Sequence, residues 1–322
     1  MSKTILLTGA FGNIGQGTLK KMLAAGHQVV CLDRKTAQTE KIADNFAEKI
    51  RVVWGDIGDV AVLAKALEGV DTVVHLVGII PPLSEIDCEL AERVNVGGTK
   101  SVIEAMGKFP GTRRLIFAST FGVFGKVQDR VPPLTNHSTL NPDDNYGRTK
   151  VAAEEAIRTS GLDWTILRIC AAPPLEIEAS AAHDPSSLFE MSADARLEFI
   201  HPDDVSRAFC SAVTCDAAVG KILFLGGGTA CQMTGLEFAT NMIKGNGISG
   251  TLPAKAFKPC ATPEFYGDWV DTEESQRLLR FQRFTMDDFV QHAQKKMRWR
   301  YYLIRLISPL AKRVLLKASP YF

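Results

Sequence analysis

The chain has 322 residues, of which 46% are apolar and 23% charged, and its formal net charge is +1. This length allows one large α/β domain with an added lobe, or two modest domains, and either would bury a full core. The composition argues against a disordered chain, and the sequence shows no internal repeat or low-complexity tract.

The chain begins MSKTILLTGAFG, passing from one basic residue into a short β-like run and then glycines, without the apolar core of a signal peptide. The run VVHLVGII is short and contains His75, so no membrane span is predicted. The seven cysteines form no C-x-x-C pair, which favours reduced packing residues over disulfides or a metal site. We therefore expect a cytoplasmic protein without a bound metal.

Short β-branched runs alternate with helical patterns through the first half of the chain, as in repeated βαβ units. The predicted strands lie near 3–8, 28–32, 51–54, 72–77, 113–118 and 163–168. Apolar residues three and four apart predict helices near 13–25, 59–68, 86–107 and 144–160. The predicted class is α/β: a Rossmann doubly wound parallel sheet with a smaller C-terminal substrate lobe.

A glycine-rich turn follows the first predicted strand and leads into the first predicted helix. Such a turn lets the backbone approach a pyrophosphate, and the helix start offers free N–H groups to it. A turn that needs glycine for steric reasons alone is the alternative. The residues predicted to bind the dinucleotide here are Gly9, Gly12, Asn13, Ile14 and Gly15.

Acidic residues follow the second and third predicted strands. Asp33 lies about twenty residues beyond the glycines, where a carboxylate accepts hydrogen bonds from the adenosine ribose and so favours NAD. The adjacent Arg34 could instead pair with the 2′-phosphate of NADP, which keeps NADP open. Asp56, with Ile57, is placed to reach the adenine, although Asp56 could equally cap the next helix.

Hydroxyl groups end the fifth predicted strand, at Ser119 and Thr120. Ligands of doubly wound sheets bind at the carboxyl ends of the strands, so one of these hydroxyls could polarise a substrate oxygen. Helix or turn capping is the alternative role for both.

Tyr146 and Lys150 are four residues apart on the helix that follows this strand. At that spacing the two side chains share a helix face, and an ammonium beside a phenol favours the tyrosinate. We therefore predict that Lys150 lowers the pKa of Tyr146, making the phenol usable as an acid or base, and that Lys150 also holds the nicotinamide ribose.

The regular pattern ends near residue 170, where Pro173 and Pro174 cannot continue a central strand. The sheet domain comprises residues 1–170. The segment 199–228 is predicted to belong to the same domain, because it contains a helix that begins at Pro202 and a strand near 221–225. The segments 171–198 and 229–294 form the predicted substrate lobe, with helices near 234–244 and 286–297 and an exposed linker at 245–262. Residues 295–322 form a basic amphipathic tail.

With these residues in order, the chain resembles the extended short-chain dehydrogenase/reductases, which include NAD-dependent epimerases, dehydratases and 3β-hydroxysteroid dehydrogenase-like enzymes. The resemblance covers about 290 residues. It implies that Tyr146 is the acid/base and Lys150 its partner. It also favours Thr120 over Ser119 as the substrate-orienting hydroxyl, since the hydroxyl of the family lies five residues before the glycine of a segment like Val123-Phe124-Gly125.

The same resemblance implies further dinucleotide-binding positions and a homodimer built on the helices near 86–107 and 144–160. These further positions lie in family-like segments after the fourth strand, in the following helix and after the sixth strand: Leu76, Val77, Gly78, Asn95 and Pro173.

Two positions depart from the nucleotide-sugar members of this family. Leu197 occupies the place of an arginine that holds a sugar nucleotide's diphosphate, and Arg196 is one step away. Phe124 replaces a common tyrosine. Both departures favour a small to medium apolar substrate.

The tail, 295–322, contains eight Lys and Arg residues and no acid, so the rest of the chain carries −7. Between 297 and 316 it predicts an amphipathic helix with a break at Pro309 and one apolar stripe: Trp299, Tyr302, Leu303, Leu306, Ile307 and Leu310. This stripe could lie on a membrane surface, or could pack on the lobe or on a dimer partner. A nucleic-acid partner is not expected.

Three functions follow in order. The first is an NAD(P)-dependent oxidoreductase acting on a ketone or secondary alcohol of a small molecule. The second is a nucleotide-sugar epimerase or dehydratase, which returns the hydride to the same substrate. The third is a dinucleotide-binding scaffold subunit without chemistry, against which Tyr146 and Lys150 argue.

Overall fold

A computed structural model describes residues 2–175, 185–260 and 266–322. Its strands are β1 (Thr4–Thr8), β2 (Gln28–Asp33), β3 (Ile50–Trp54), β4 (Thr72–His75), β5 (Arg114–Thr120), β6 (Asp163–Ile169), β7 (Arg196–Glu198), β8 (Lys221–Leu225) and β9 (Gln232–Thr234). Within the described residues, seven parallel strands form one sheet in the order β3-β2-β1-β4-β5-β6-β8, and the two short strands β7 and β9 pair antiparallel. The predicted Rossmann fold is therefore confirmed.

The four helices predicted between the first six strands are present, although the one near 86–107 is divided, and a further helix at Ala37–Asp44 was not predicted. The central part of the divided helix, Glu92–Gly97, is a π-helix, a form that often occurs at functional sites. The α-helices as far as the return to the sheet are α1 (Asn13–Ala24), α2 (Ala37–Asp44), α3 (Val60–Leu67), α4 (Leu83–Ile86), α5 (Cys88–Ala91), α6 (Gly98–Gly107), α7 (Asn145–Arg158) and α8 (Pro202–Ala212).

The sheet is buried on both faces because its strands alternate between two apolar clusters. In β1, Ile5 and Leu7 enter one cluster and Leu6 enters the other. Side chains of successive strand residues point to opposite faces, so a run of aliphatic residues fills both layers. Helix α1 packs tightly on α8, since a Cβ at Gly17 would collide with the hydroxyl of Ser206. The later segment thus completes the layer that begins at α1.

The C-terminal lobe has two smaller apolar clusters of its own. Its helices are α9 (Gly235–Gly245), α10 (Glu273–Leu279) and α11 (Met286–Met297). The prediction of an exposed linker at 245–262 was wrong for much of its length, because Leu252, Ala256 and Phe257 are buried in one of these clusters. Of the predicted lobe, 176–184 and 261–265 lie outside the described residues.

The tail forms two helices, α12 (Trp299–Leu306) and α13 (Ser308–Leu316), separated at Ile307. The predicted break at Pro309 was wrong by two residues. Proline is accommodated in the first turn of a helix, where its missing N–H group has no intrahelical acceptor. Among the residues that the structure describes, no helix is long and apolar enough to cross a membrane.

Candidate active site

The glycine-rich turn brings three backbone segments into close contact. Gly9 has a φ of +68°, and a Cβ on it would lie 3.1 Å from the backbone nitrogen of Val77. A Cβ at Gly15 would collide with the carbonyl oxygen of Gly9. Two of the three glycines are therefore required by the fold itself, and the steric alternative accounts for part of the pattern.

The start of α1 also fits an anionic group. The N-cap is Gly12, the first turn contains no acidic residue, and no side chain of the described residues caps this end. The first N–H groups of the helix, including those of Asn13 and Ile14, are therefore available to a ligand at the positive end of the helix dipole. A narrow cradle with this polarity fits the pyrophosphate of a dinucleotide.

Asp33, at the end of β2, helps to shape this cradle. Its carboxylate accepts hydrogen bonds from the backbone N–H of Phe11 at 2.9 Å and of Arg34 at 2.8 Å. Burial raises the pKa of Asp33, while these two backbone hydrogen bonds and the charge of Arg34 act in the opposite direction. A half-buried carboxylate thus lies beside the turn, and the side chain of Arg34 is exposed.

The residues after β3 do not share one role. Asp56 is exposed and accepts from the backbone N–H of Gly58 at 2.8 Å, whereas the cap of α3 is Asp59. The alternative that Asp56 caps this helix was therefore wrong. Ile57 is buried against Gly98, so its side chain belongs to the core and only its backbone is left for a ligand.

A buried hydrogen-bond chain joins β1 and β4 to the π-helix. Thr99 donates to the carbonyl oxygen of Asn95 at 2.6 Å, so its hydroxyl accepts from Nε2 of His75 at 3.1 Å. Nδ1 of His75 then accepts from the hydroxyl of Thr8 at 2.7 Å. Burial lowers the pKa of His75 to about 3, consistent with a neutral ring.

Asn95 fixes the loop that follows β4. Its amide nitrogen donates to the carbonyl oxygen of Ile79 at 3.0 Å and to the hydroxyl of Thr149 at 2.9 Å. Its amide oxygen accepts from the N–H of Ile79 at 2.7 Å. The side chain predicted to bind the dinucleotide is thus used within the protein, and it positions the loop next to α7.

Leu76, Val77 and Gly78 form this loop between the glycine turn and α7. The backbone of Val77 contacts Gly9, and a Cβ at Gly78 would lie 3.2 Å from Nζ of Lys150. The loop therefore connects the cradle to the helix that carries the tyrosine. Pro173 follows β6 at the same edge of the sheet and is partly exposed.

Lys150 is held against the end of β5. Its Nζ donates to the carbonyl oxygen of Ala118 at 2.9 Å and lies 5.7 Å from the centroid of the Tyr146 ring and 4.7 Å from that of Phe117. Burial lowers its pKa to about 8, and the carboxylate of Glu154 acts in the opposite direction.

The turn after β5, which begins at Thr120, packs against the start of the helix that carries Tyr146. Thr120 Oγ1 accepts from the backbone N–H of Gly122 at 3.1 Å, which leaves its own hydrogen to donate. A Cβ at Gly147 would lie 3.0 Å from the carbonyl oxygen of Gly122, so the first turn of α7 packs on this segment. Tyr146, Lys150 and Thr120 therefore lie on elements that meet at one edge of the sheet.

The predicted effect of Lys150 on Tyr146 does not occur in the folded chain. Burial raises the pKa of Tyr146, and the charge of Asp144 raises it further. The ammonium is directed at the Ala118 carbonyl, and its Nζ lies 5.7 Å from the centroid of the Tyr146 ring. Any lowering of this pKa during reaction must come from groups that join the site.

Ser119 is committed to a buried ion pair and is not available to a substrate. It donates to Oε1 of Glu154 at 2.5 Å, and Arg168 donates to both oxygens of Glu154, at 3.0 and 2.7 Å. All three side chains are almost completely buried. The structure therefore does not support Ser119 as a catalytic residue, because its hydroxyl hydrogen is already used.

A family model described as NAD(P)H-binding matches residues 9–173, slightly more than half of the chain. The chain belongs to this NAD(P)H-binding family. The resemblance to the extended short-chain dehydrogenase/reductases is thereby confirmed, together with a nicotinamide dinucleotide as the cofactor.

Relatives of this NAD(P)H-binding protein have different named activities. UDP-glucose 4-epimerase 4 of Oryza sativa subsp. japonica is 32% identical over 52% of this chain and 48% of that protein. The 3 beta-hydroxysteroid dehydrogenase/Delta 5-->4-isomerase of Mycobacterium tuberculosis is 30% identical over 53% of this chain and 46% of that protein. The chain thus spans about half the length of these curated relatives.

Solved structures match over nearly the whole chain. UDP-glucuronic acid 4-epimerase from Bacillus cereus, in complex with UDP-glucuronic acid and NAD, has a TM-score of 0.74 over 92% of this chain and 99% of that chain. The identity is 20%, so this likeness establishes the fold of the NAD(P)H-binding protein and not its substrate.

Sequence reasoning missed three carboxylates around α7. Glu85 accepts from the N–H groups of Asn145 at 2.9 Å and Tyr146 at 3.0 Å, and Asp144 accepts from Gly147 at 2.7 Å. Asp144 could have been found as a helix N-cap, and Glu154 from its place four residues after Lys150. Glu85 carries no sequence signal, because it reaches α7 across sixty residues of chain.

The two departures from the nucleotide-sugar members both have packing roles. Arg196 pairs with Asp268 through two hydrogen bonds of 2.8 and 2.5 Å, and Leu197 is buried in a lobe cluster. Phe124 is buried, and the guanidinium of Arg168 lies 5.1 Å from its ring centroid. Arg196 is therefore not placed to compensate for the leucine.

Proposed function

We propose that this protein is an NAD(P)-dependent oxidoreductase that interconverts a ketone and a secondary alcohol on a small to medium apolar substrate. The observation that carries this proposal is the grouping of Tyr146, Lys150 and Thr120 at the sheet edge that also holds the glycine cradle. The hydrogen bond from Lys150 to Ala118 and the packing of Gly147 on Gly122 support that grouping.

A bound nicotinamide dinucleotide supplies the hydride donor or acceptor for this reaction. In the reducing direction, Tyr146 gives its phenol proton to the substrate oxygen as the carbonyl becomes an alcohol, and in the oxidising direction it takes that proton back. Thr120 donates a hydrogen bond to the same oxygen. Lys150 would hold the nicotinamide ribose, and its Nζ lies 5.7 Å from the centroid of the Tyr146 ring.

The apolar character of the substrate is proposed from the side chains around Glu85. Ile80, Leu83 and Ile86 are large apolar residues exposed to solvent, and they flank the glutamate that is bonded to the N–H of Tyr146. Exposed apolar groups beside a site favour a ligand that covers them.

The proposed cofactor preference is for NAD, with NADP as the alternative. The Asp33 carboxylate is fixed by two backbone hydrogen bonds and cannot easily turn away from a 2′-phosphate. Repulsion between these two anions supports NAD.

A nucleotide-sugar epimerase is the second candidate, because named epimerases are among the relatives and structural neighbours. Such an enzyme would use the same tyrosine. Against it, Arg196 is committed to Asp268 and Leu197 is buried, which removes an arginine expected for the diphosphate.

The test is a spectrophotometric assay of NADH and NADPH consumption with a panel of apolar ketones, together with chromatography of UDP-glucose incubated with enzyme and NAD. Net consumption of NADH with a ketone is expected. Conversion of UDP-glucose without net change in the cofactor would establish the epimerase instead, and cofactor binding without either turnover would favour a scaffold. The proposed homodimer is checked by light scattering during gel filtration.

A further inference from the structure

The tail presents a continuous set of large apolar side chains to solvent. We call this set the outer stripe; each of its members is more than half exposed, and Leu306 is 81% exposed. Monomeric proteins rarely expose so many neighbouring apolar residues without an interaction partner. The outer stripe consists of Trp299, Tyr302, Leu303, Leu306, Ile307, Leu310 and Val314.

The opposite face of the tail is docked on the lobe. Ser308 bonds to the hydroxyl and the N–H of Ser249, each at 2.7 Å, and Lys312 donates to the carbonyl oxygen of Thr251. The backbone at Gly247 lies close to α12, and Leu316 enters a lobe cluster. The stripe is therefore held outward by a packed helix face.

Cations surround the outer stripe. The segment 295–322 carries eight Lys and Arg residues and no Asp or Glu. Seven of these cations are exposed, on α11, α12 and α13 or next to them: Lys295, Lys296, Arg298, Arg300, Arg305, Arg313 and Lys317. The surface combines exposed aliphatic and aromatic groups with positive charge. Such a surface fits a partner that has an anionic outer layer over an apolar interior.

We propose that the outer stripe docks on an anionic lipid surface, with α12 and α13 lying parallel to it. Tryptophan and tyrosine, represented here by Trp299 and Tyr302, favour the boundary between headgroups and acyl chains. The arginines and lysines would contact lipid phosphates, which adds an attraction that depends on salt. The two helices have eight and nine residues, which suits lying on a bilayer and not spanning it.

Charge also argues against a second copy as the occupant. A two-fold contact through the outer stripe would bring two tails together, each with eight cations and no acid. Like charges directly opposed across an interface weaken association, whereas an anionic bilayer neutralises them.

The experiment is flotation of the full-length protein with phosphatidylcholine vesicles, with and without phosphatidylglycerol, at low and high salt. We expect at least about tenfold more protein bound to the anionic vesicles at low salt, and release at high salt. Trp299 should show blue-shifted emission on binding, and the Trp299→Phe variant should lose that change.

Two matched pairs of variants separate the outer stripe from general surface effects. Leu306→Glu should lower vesicle binding by at least about tenfold, whereas Val131→Glu, at an exposed apolar residue outside the tail, should leave it unchanged. The double variant Arg305→Gln/Arg313→Gln should lower binding to anionic vesicles. The control double variant Lys49→Gln/Arg277→Gln removes two cations outside the tail and should leave this binding unchanged. Thermal melting followed by circular dichroism checks that each variant is folded, and the charge pair keeps the test valid if Leu306→Glu unfolds.

Absence of wild-type binding to anionic vesicles would overturn the proposal, as would equal binding of Leu306→Glu and Val131→Glu. A change in oligomeric state in Leu306→Glu, without any vesicle binding by the wild type, would assign the stripe to a second copy. These outcomes are independent of the proposed reaction, because vesicle binding is measured without substrate or cofactor.

Discussion

Polar side chains at the carboxyl edge of the sheet are buried and paired, whereas large apolar side chains on the tail face solvent. At the sheet edge, Ser119, Glu154 and Arg168 satisfy one another away from water. On the tail, Leu306 and its neighbours have no such cover. An unpaired buried polar group and an uncovered apolar group each cost stability. The contrast between the two regions therefore fits the two proposals made above, a small-molecule substrate at the sheet edge and a lipid surface at the tail.

The largest expected effect comes from the phenol at the sheet edge. Tyr146→Phe should lower turnover by at least about 10²-fold, because proton transfer to the substrate oxygen is lost. Dinucleotide binding, measured by calorimetry, should be retained. Tyr302→Phe, on the exposed outer stripe, is the control and should leave turnover unchanged. Undiminished turnover in Tyr146→Phe would move the acid/base role to another residue.

Breaking the buried ion pair between Glu154 and Arg168 tests whether the stability of the fold depends on this pairing at the sheet edge. Glu154→Gln leaves the Arg168 guanidinium buried without its carboxylate, so the free energy of unfolding should fall by about 3 kcal/mol. Urea denaturation measures this change. The neighbouring Glu155→Gln is the control, since Glu155 is exposed and pairs with Arg158 on the surface. Equal stability of the two variants would contradict the structural role of the pair.

The docked face of the tail should behave as part of the core. Leu316→Ala should lower the free energy of unfolding by about 2 kcal/mol, because a cavity forms in the lobe cluster. Leu306→Ala, on the outer stripe, should have little effect by the same denaturation measurement. A small loss in both would mean that the tail is not docked.

The cofactor preference is tested by Asp33→Asn, which keeps an oxygen to accept from the N–H of Phe11 but removes the negative charge. The ratio of the Kd for NADP to that for NAD should fall by about tenfold, since the repulsion of a 2′-phosphate is lost. Fluorescence titration with each dinucleotide gives both constants. An unchanged ratio would show that Asp33 acts only on the shape of the turn.

The smallest expected effect concerns the pH dependence of the reaction. Lys150 is charged below its pKa of about 8 and neutral above it. A reaction that needs the ammonium should therefore keep its kcat/KM below this pH and lose it as pH rises through the pKa. In Glu154→Gln the raising effect of the carboxylate is removed, so the alkaline limb should move to lower pH, whereas in Glu155→Gln it should stay in place. An unmoved limb would assign it to another group.

The sequence predicted the seven strands of the parallel sheet, the glycine turn and the common edge that carries Thr120, Tyr146 and Lys150, but not the short strands β7 and β9. These features depend on residues close together in the chain: alternation along a strand, glycine in a tight turn, and a four-residue helix spacing. Parallel strands with helical crossovers then place all their carboxyl ends at one edge, so a local pattern was enough to locate the site.

Only the tertiary structure decided which polar side chains are already hydrogen-bonded within the protein and which are available to a ligand. Ser119 is hydrogen-bonded to Glu154, 35 residues away in the sequence, and Arg196 to Asp268, 72 residues away. No sequence pattern predicts either pairing. The apolar stripe of the tail was visible in the sequence, but whether it faced the lobe or solvent depended on the contacts of Ser308 and Leu316. The physical reason is that periodicity along the chain defines which residues share a helix face. Whether that face is buried or exposed depends on which other parts of the folded chain pack against the helix.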